Sequence, residues 1–170
     1  MVIMAHGTEL GIKRYLPMLH TALPRFELNI PLRIAHYLAQ VGHESMSFVY
    51  TEEIASGTGY EGREDLGNTE SGDGVRFKGR GLIQLTGRDN YTAYANYLSV
   101  DLLQPGNETL VSSTPEYALD VNLWFWEKRR LNGYADSDDL KAITRRVNGG
   151  CNGLEDRKQY LHRAKFFLLP

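Results

Sequence analysis

The chain has 170 residues, of which 42% are hydrophobic and 24% are charged, and its formal net charge is −2. This length suits a single domain over residues 1–170, and the apolar content excludes an intrinsically disordered chain. The only cysteine, Cys151, excludes an intrachain disulfide and a multi-thiolate metal site, and the slightly negative charge argues against a nucleic-acid-binding protein.

The N-terminal residues carry no sign of export. The segment MVIMAHGTELGIKRYL has neither the basic region nor the long apolar stretch of a signal peptide. Elsewhere, no run of the chain approaches the ~18 consecutive apolar residues of a membrane-spanning helix. We therefore expect a protein that is made in the cytoplasm without a signal peptide and is not inserted into a membrane.

Two helices are predicted in the N-terminal part of the chain. Across residues 8–23, apolar side chains recur at helical spacing, and Pro17 should kink the helix. The second helix begins at Pro31, a residue favoured at the first helical position, and runs to about Ser47. The two apolar faces are predicted to consist of Ile12, Leu16, Leu19 and Leu23, and of Ile34, Leu38 and Val41.

A long polar segment follows between Glu52 and Lys78. Gly, Asp, Glu, Asn and Ser dominate it, and long irregular loops in compact domains are often functional. Directly after it, residues 75–78 and 82–85 flank the sequence Gly79-Arg80-Gly81. This arrangement predicts a short β-hairpin beside the polar loop.

The remainder of the chain is predicted to be helical. The helices are expected at residues 89–98, 115–126, 137–148 and 154–168, with caps at Thr114, Ser137 and Gly149. Their large aromatic side chains are expected in the core: Tyr91, Tyr94, Trp124 and Trp126. The predicted fold is therefore α+β, mostly α-helical, with one small hairpin.

Positive charge is concentrated near the C-terminal end. From Lys141 onward, seven basic residues stand against two acidic ones, so this part carries +5 and the remainder −7. Two interpretations remain open: a solvated helical surface, or local attraction to an anionic polymer such as a bacterial cell wall.

Several common catalytic motifs are absent. His43-Glu44 resembles the start of a zinc-protease helix, but Ser47 occupies the position that needs a second histidine. The chain has no G-x-S-x-G elbow, and the glycines at Gly57 and Gly59 lack the third glycine of a dinucleotide-binding loop. We therefore expect neither a metal nor a cofactor.

Carboxylates around the end of the second helix are the remaining candidates. Partial burial and the C-terminal end of the helix dipole both disfavour a charged Glu44, which suits it to act as a general acid. Glu52 and Glu53 open the polar loop, where a carboxylate stays solvated and ionised. Two carboxylates in contrasting environments are the usual arrangement for cleaving a glycosidic bond. The alternative interpretation of Glu44 is a plain surface charge.

Several motifs then occur in a fixed order. They are His43-Glu44-Ser45, the string GRGLIQLTG at residues 79–87, Asn90-Tyr91, and Asn148-Gly149-Gly150. Together they resemble glycoside hydrolase family 19, the group of plant-type chitinases and many phage endolysins. The likeness runs from about residue 34 to residue 163, and the string at residues 79–87 is its most specific part.

The resemblance implies a lysozyme-like fold with a deep sugar-binding cleft, and hydrolysis with inversion. Glu44 matches the general acid, and Glu53 resembles the general base, with Glu52 as its competitor. Thr86 matches the residue that holds the attacking water, and Arg157 matches a basic residue near the base. The other positions that the resemblance assigns to the cleft or the sugar are His43, Gln84, Asn90 and Asn148. In inverting enzymes the two carboxyl groups lie about 6.5–9.5 Å apart, so that a water fits between the base and the anomeric carbon.

We expect an endolysin-type glycosidase that hydrolyses β-1,4 bonds between N-acetylated amino sugars of bacterial peptidoglycan. The chain lacks the disulfide cysteines of plant chitinases, and the segments between its motifs are short. Two alternatives remain: a chitinase that acts on chitin or chito-oligosaccharides, and an inactive module that binds wall glycan. The expected partner is the peptidoglycan glycan strand, with no nucleic acid and no membrane. We expect a monomer that is made in the cytoplasm of a bacterial host and acts on the cell wall after its release from the cytoplasm.

Overall fold

The computed structural model describes residues 3–4 and 9–170. The chain divides into two compact units. The first unit comprises Met1–Val49 together with Asn122–Pro170, and the second comprises Tyr50–Val121. The single domain that the chain length indicates stays a prediction.

Helices make up nearly all of the regular structure in these residues. They are α1 (Glu9–Ala22), α2 (Pro31–Glu44), α3 (Asp73–Arg76), α4 (Arg88–Leu98), α5 (Leu110–Ser113), α6 (Pro115–Lys128), α7 (Asn132–Asp136), α8 (Leu140–Asn148) and α9 (Leu154–Leu168). Short 3-10 turns cover Leu23–Phe26, Thr58–Tyr60, Glu64–Leu66 and Asn107–Thr109. The predicted mostly helical fold is confirmed. Among the helices described, none has the length and apolar character needed to cross a membrane.

The predicted β-hairpin is absent from the described residues. Only isolated bridges form there, between Arg80 and Leu85 and between Arg80 and Glu52. The nitrogen of Arg80 donates to the oxygen of Leu85 at 3.1 Å, and the nitrogen of Leu85 donates back at 2.7 Å. A tight turn therefore replaces the two strands.

The segment before this turn is helical rather than extended. Val75 lies in α3, and the nitrogen of Phe77 donates to the oxygen of Asp73 at 2.8 Å. This helical hydrogen bond occupies the backbone N–H of Phe77, which in a hairpin would donate to the neighbouring strand. An alternation of only four residues was too short to distinguish a strand from a single helical turn.

The first unit is built on the packing of α2 against α9. The buried side chains of these two helices include Ala35, Tyr37, Val41, Tyr160 and Ala164. Gly42 allows the close approach, because a Cβ atom there would lie 2.8 Å from the ring of Tyr160.

The buried face of α2 differs from the prediction. Ile34 and Leu38 are only half-buried, whereas the polar side chains of His36 and Gln40 are fully buried. Nε2 of His36 and both polar atoms of the Gln40 amide have partners on other segments, whereas the buried Nδ1 of His36 has none among the described residues. An apolar pattern cannot reveal such partners, since they come from distant parts of the chain.

Helix α1 is also rotated relative to the prediction. Tyr15 and Leu19 are buried, and the ring of Tyr15 stacks on Phe48 with 5.4 Å between centroids. The prediction that Leu16 faces the core is wrong, because this residue is 61% exposed. Thr8, the predicted first residue of this helix, lies outside the described residues.

In the second unit, side-chain contacts hold the long polar segment. The guanidinium of Arg88 pairs with Asp73 at 2.6 Å, and its hydrogen bond keeps the pKa of that carboxyl below its ordinary value. The fully buried Asn68 donates to the oxygen of Tyr60 at 2.9 Å and accepts from the nitrogen of Arg88 at 2.8 Å. The polar segment is thereby anchored to the start of α4.

The predicted aromatic core residues are confirmed. Tyr91 and Tyr94 of α4 are fully buried, and so is Trp126 of α6, while Trp124 is 8% exposed. These four rings therefore serve the interior of the protein.

Candidate active site

Glu44 is the last residue of α2. The helix ends there, before the predicted boundary near Ser47, and the hydroxyl of Ser45 donates to the oxygen of Val41 at 2.6 Å. The same hydroxyl accepts from the nitrogen of Phe48 at 2.8 Å. Residues 46–48 then have φ values of 47°, 60° and 68°, in the left-handed region where a right-handed helix cannot continue.

The carboxylate of Glu44 is bound by an arginine of α9. Nη2 of Arg157 donates to Oε1 of Glu44, and Nη1 donates to Oε1 of Gln40 at 2.5 Å. Gln40 and Glu44 are four residues apart and so lie on the same face of α2. The side chain of Arg157 is only 1% exposed and that of Glu44 is 21% exposed. These contacts hold the carboxylate in one orientation.

The structure adds a charge that the sequence did not place beside Glu44. The resemblance implies that Arg157 lies near the base, whereas the structure places it against Glu44, the acid candidate.

His43 contacts the residue that is next in sequence to the partner of Glu44. Its Nδ1 lies 2.7 Å from Oδ2 of Asp156, the residue that precedes Arg157 in the first turn of α9. The ring also lies against Gly153, where a Cβ atom would approach it to 2.1 Å. The start of α9 therefore positions two consecutive side chains at the end of α2.

Asn148, the last residue of α8, is engaged within its own loop. Its Nδ2 donates to the oxygen of Asn152 at 2.9 Å, and its Oδ1 accepts from the nitrogen of Gly150 at 2.9 Å. Nε of Arg157 donates to the same oxygen of Asn152 at 3.4 Å. These bonds give Asn148 a role in shaping the α8–α9 loop, and its contact with a sugar stays a prediction.

In the second unit, Glu53 is held by neutral donors. The hydroxyl of Tyr60 donates to Oε1 at 3.0 Å, and the nitrogen of Gly79 donates to Oε2 at 3.1 Å. The backbone nitrogen of Glu53 in turn donates to the oxygen of Gly79 at 2.9 Å. Burial, followed by the hydrogen bond to Glu53 and its charge, raises the pKa of Tyr60.

Glu52 is surrounded by cations instead. Its Oε1 lies 3.0 Å from Nζ of Lys78 and 3.5 Å from Nη2 of Arg80, and its Oε2 accepts from the hydroxyl of Ser112 at 3.0 Å. Burial acts to raise the pKa of Glu52, but the hydrogen bond from Lys78, the charge of Arg80 and the Ser112 hydroxyl together lower it. The two adjacent glutamates therefore have opposite surroundings.

The remaining predicted residues of this unit lie close together. Nδ2 of Asn90 donates to the oxygen of Thr86 at 2.8 Å, and the hydroxyl of Thr86 donates to the oxygen of Gln84 at 3.4 Å. Gln84 is exposed, and its side chain lies against Gly79, where a Cβ atom would be 2.5 Å from Oε1. Glu53 and Gln84 thus share contact with one glycine.

The predicted site residues fall into two groups, each connected within one unit. Glu44, His43, Asn148 and Arg157 belong to the first unit, and Glu53, Gln84, Thr86 and Asn90 belong to the second. Sequence reasoning missed Gln40, Asp156 and Tyr60. For Asp156 the signal was available, because it precedes Arg157 and is an acid next to a predicted site residue. For Tyr60 there was none, since it lies in an irregular segment without periodicity. Among the described residues, no cluster of three or more His, Cys, Asp or Glu side chains could hold a metal ion.

Comparison with known proteins gives consistent relatives. The family model described as chitinase class I, of glycoside hydrolase family 19, matches residues 33–139. A glycosyl hydrolase family 19 domain-containing protein of Haemophilus influenzae is 31% identical over 161 residues, which covers 76% of each chain. An endochitinase of Arabidopsis thaliana is 40% identical over 123 residues, which covers 71% of this chain but 41% of that protein. The chain thus spans less than half of the plant relative.

The fold has a solved counterpart. The crystal structure of chitinase C from Streptomyces griseus superposes with a TM-score of 0.70 at 24% identity, over 96% of this chain and 70% of that chain. At this identity the likeness concerns the fold alone. It supports the lysozyme-like architecture that the sequence motifs imply, without the hairpin.

Proposed function

Because the chain belongs to glycoside hydrolase family 19, we propose that it hydrolyses β-1,4 bonds between N-acetylated amino sugars of bacterial peptidoglycan, with inversion. The observation that favours a catalytic role over a purely binding one is the presence and fixed orientation of the side chains of Glu44 and Glu53. Both carboxylates are present, and each is held in one orientation by defined donors. A module that only binds glycan needs neither.

In the proposed reaction, Glu44 donates its proton to the glycosidic oxygen as the bond to the anomeric carbon breaks. Glu53 takes a proton from a water held by Thr86, and the oxygen of that water bonds to the anomeric carbon from the opposite face. Exchange of protons with solvent then restores a neutral Glu44 and an ionised Glu53. General acid–base catalysis of this kind contributes about 10²–10⁴-fold per group. The sugar contacts are assigned to His43, Gln84, Asn90 and Asn148.

We assign the base to Glu53 rather than Glu52 because of their partners. A general base must accept a proton, and two cations beside Glu52 oppose its protonation. Among the described residues, Glu53 accepts from a phenol and a backbone amide, and each of its oxygens keeps a lone pair for water. This contrast supports the choice of Glu53 that the family resemblance implies.

One observation supports peptidoglycan as the substrate. Lys141 and Arg145 of α8 are exposed and have no acidic partner among the described residues, so they can attract an anionic polymer such as the cell wall. The rest of the basic C-terminal part contributes less, because Arg157 and Lys165 are paired with Glu44 and Asp138.

Chitin is the second candidate substrate, and the names of the relatives favour it. The plant relative is an endochitinase, and the structural neighbour is a chitinase. Both polymers are chains of N-acetylated amino sugars joined by β-1,4 bonds, so the acid–base chemistry described above applies to either.

The deciding experiment compares wild type with Glu44→Gln on purified sacculi and on chitohexaose. We expect wild type to release new reducing ends from sacculi faster than from chitohexaose, and Glu44→Gln to release almost none. Mass analysis of the fragments identifies whether the reducing end is N-acetylmuramic acid or N-acetylglucosamine. Preferential cleavage of chitohexaose would show that the substrate is chitin and not peptidoglycan. Binding to sacculi without release of fragments would indicate an inactive module.

A further inference from the structure

We propose that Tyr60 is a positioning residue for catalysis, which holds the carboxylate of Glu53 in the orientation that the attacking water requires. This inference rests on the proposed role of Glu53 as the base. Nothing in the motifs of the sequence points to Tyr60, which lies seven residues away in the polar segment.

The contacts of Glu53 define its orientation completely. The hydroxyl of Tyr60 donates to Oε1 at 3.0 Å, and the nitrogen of Gly79 donates to Oε2 at 3.1 Å. A carboxylate has about four lone-pair sites, so each oxygen retains one that can face a water. Of the two donors, only the phenol comes from a side chain, so substitution can remove it without changing the backbone.

Tyr60 is itself held in place by its surroundings. It ends the 3-10 turn Thr58–Tyr60, and its nitrogen donates to the oxygen of Gly57 at 2.9 Å. Gly57 has φ of 86°, and a Cβ atom there would lie 2.4 Å from the oxygen of Gly74, so this turn requires glycine. The buried Asn68 ties the oxygen of Tyr60 to the start of α4. The turn that carries the phenol of Tyr60 is therefore fixed by these hydrogen bonds and by the glycine at Gly57.

The phenol of Tyr60 stays protonated, and so remains a hydrogen-bond donor, over the pH range in which a glycosidase works. Burial and the neighbouring carboxylate raise the pKa of Tyr60, and the charge of Arg63 opposes this only in part. The other charged group at this position is Lys78, whose Nζ donates to the backbone oxygen of Glu53 at 3.1 Å and pairs with Glu52. Neither cation contacts the carboxylate of Glu53 among the bonds described.

The test is Tyr60→Phe, assayed on the better of the two glycan substrates across pH. Without the phenol, the carboxylate loses one of two fixed donors, and its ionised form loses a charge-assisted hydrogen bond. We expect kcat to fall about 10-fold with little change in KM, and the acidic limb of the pH–rate profile to move up by about one pH unit. A purely structural role would lower Tm without moving that limb.

Two controls separate this inference from the function on which it rests. Tyr134→Phe removes an equivalent hydroxyl, which accepts from Arg146 at 2.6 Å in the first unit, and should leave kcat and the pH profile unchanged. Glu53→Gln should abolish activity. If Glu53→Gln stays active, the base assignment is wrong and Tyr60 loses its role with it. If Glu53→Gln is inactive but Tyr60→Phe matches wild type in kcat and pH profile, the inference about Tyr60 alone is wrong.

A second variant covers the case in which Tyr60→Phe does not fold. Replacing Tyr60 by 3-fluorotyrosine keeps every atom of the contact but makes the phenol a stronger donor. The acidic limb should then move in the opposite direction, to lower pH, while Tm stays close to that of wild type. An unchanged limb in this variant would contradict the proposal.

Discussion

Glu44 and Glu53 show how the chemistry of one residue type depends on its donors. The carboxylate of Glu44 contacts the buried guanidinium of Arg157, whereas that of Glu53 accepts from Tyr60 and a backbone amide. Glu52, adjacent to Glu53, is paired with two cations. These three glutamates lie within ten positions of one another but have different partners, so a substitution at each one removes different interactions.

The first prediction concerns Glu44→Gln. The amide cannot donate a proton to the leaving oxygen, so we expect hydrolysis to fall by about 10²–10⁴-fold. Glu155→Gln is the matched control, since Glu155 is exposed on α9 and, among the described residues, forms its ion pair with Lys158 at the surface. That variant should keep both activity and Tm.

The second prediction separates the adjacent glutamates by two readouts. Glu53→Gln should remove activity while changing Tm little, because its partners are neutral donors. Glu52→Gln should lower Tm, because Lys78 and the 5%-exposed Arg80 lose their counter-charge, while kcat stays close to that of wild type. The reverse pattern, measured by sacculus digestion and thermal unfolding, would assign the base to Glu52.

At the scale of elements, the contact between α2 and α9 positions the acid candidate. Helix α9 contributes Arg157 and Asp156 in its first turn, and these hold Glu44 and His43. Gly42, one residue earlier, lets the ring of Tyr160 lie close to α2. Correct placement of the carboxylate therefore depends on how closely two helices approach.

The third prediction tests this approach with Gly42→Ala. Alanine favours a helix by about 1 kcal/mol over glycine, but its Cβ atom would lie 2.8 Å from the ring of Tyr160. We expect overpacking to prevail and to destabilise the protein by about 1–3 kcal/mol. Gly133→Ala is the control, because nothing lies within 4 Å of its Cβ position in α7. It should stabilise the protein by about 0.5–1 kcal/mol, and denaturant unfolding compares the two.

At the scale of the whole molecule, a polar network around the buried His36 should set the dependence of stability on pH. Nε2 of the fully buried His36 lies 2.8 Å from Asp138, which also pairs with Lys165 of α9 at 2.5 Å. Burial lowers the pKa of His36 below its ordinary value of 6.5, although the hydrogen bond and charge of Asp138 act in the other direction. Lys165 also lowers this pKa and Asp139 raises it.

The fourth prediction follows from the sign of this shift. The unfolded chain binds a proton at His36 more readily than the folded protein does, so stability rises with pH. This contribution is complete above about 6.5, the ordinary pKa, and is lost as pH falls toward the lower pKa of the folded state. We expect Tm to decrease between about pH 7.5 and about pH 5.5, and His36→Gln to reduce that decrease. His162→Gln, at an exposed position of α9, should leave the decrease unchanged.

Local sequence was enough to predict the six long helices, α1, α2, α4, α6, α8 and α9, and to single out the candidate carboxylates. These predictions used helical periodicity, the position of Pro31 at a helix start and the string at residues 79–87. Each of these signals depends on neighbours along the chain, so it can be recognised without coordinates. The same reasoning predicted the burial of Tyr91 and Trp126, and it placed Glu44 near the end of a helix. It was wrong for the hairpin, where four residues were too few to distinguish an alternating strand from a helical turn.

Only the tertiary structure decided which groups surround those carboxylates. Arg157 meets Glu44 across 113 positions of sequence, and Asp156 meets His43 across the same separation. Tyr60 reaches Glu53 through a turn that depends on Gly57 and on the buried Asn68. Such partners are selected by packing between distant segments, and contacts at hydrogen-bond range then determine the charge and orientation of each carboxylate. Residue order along the chain contains no direct record of those distances.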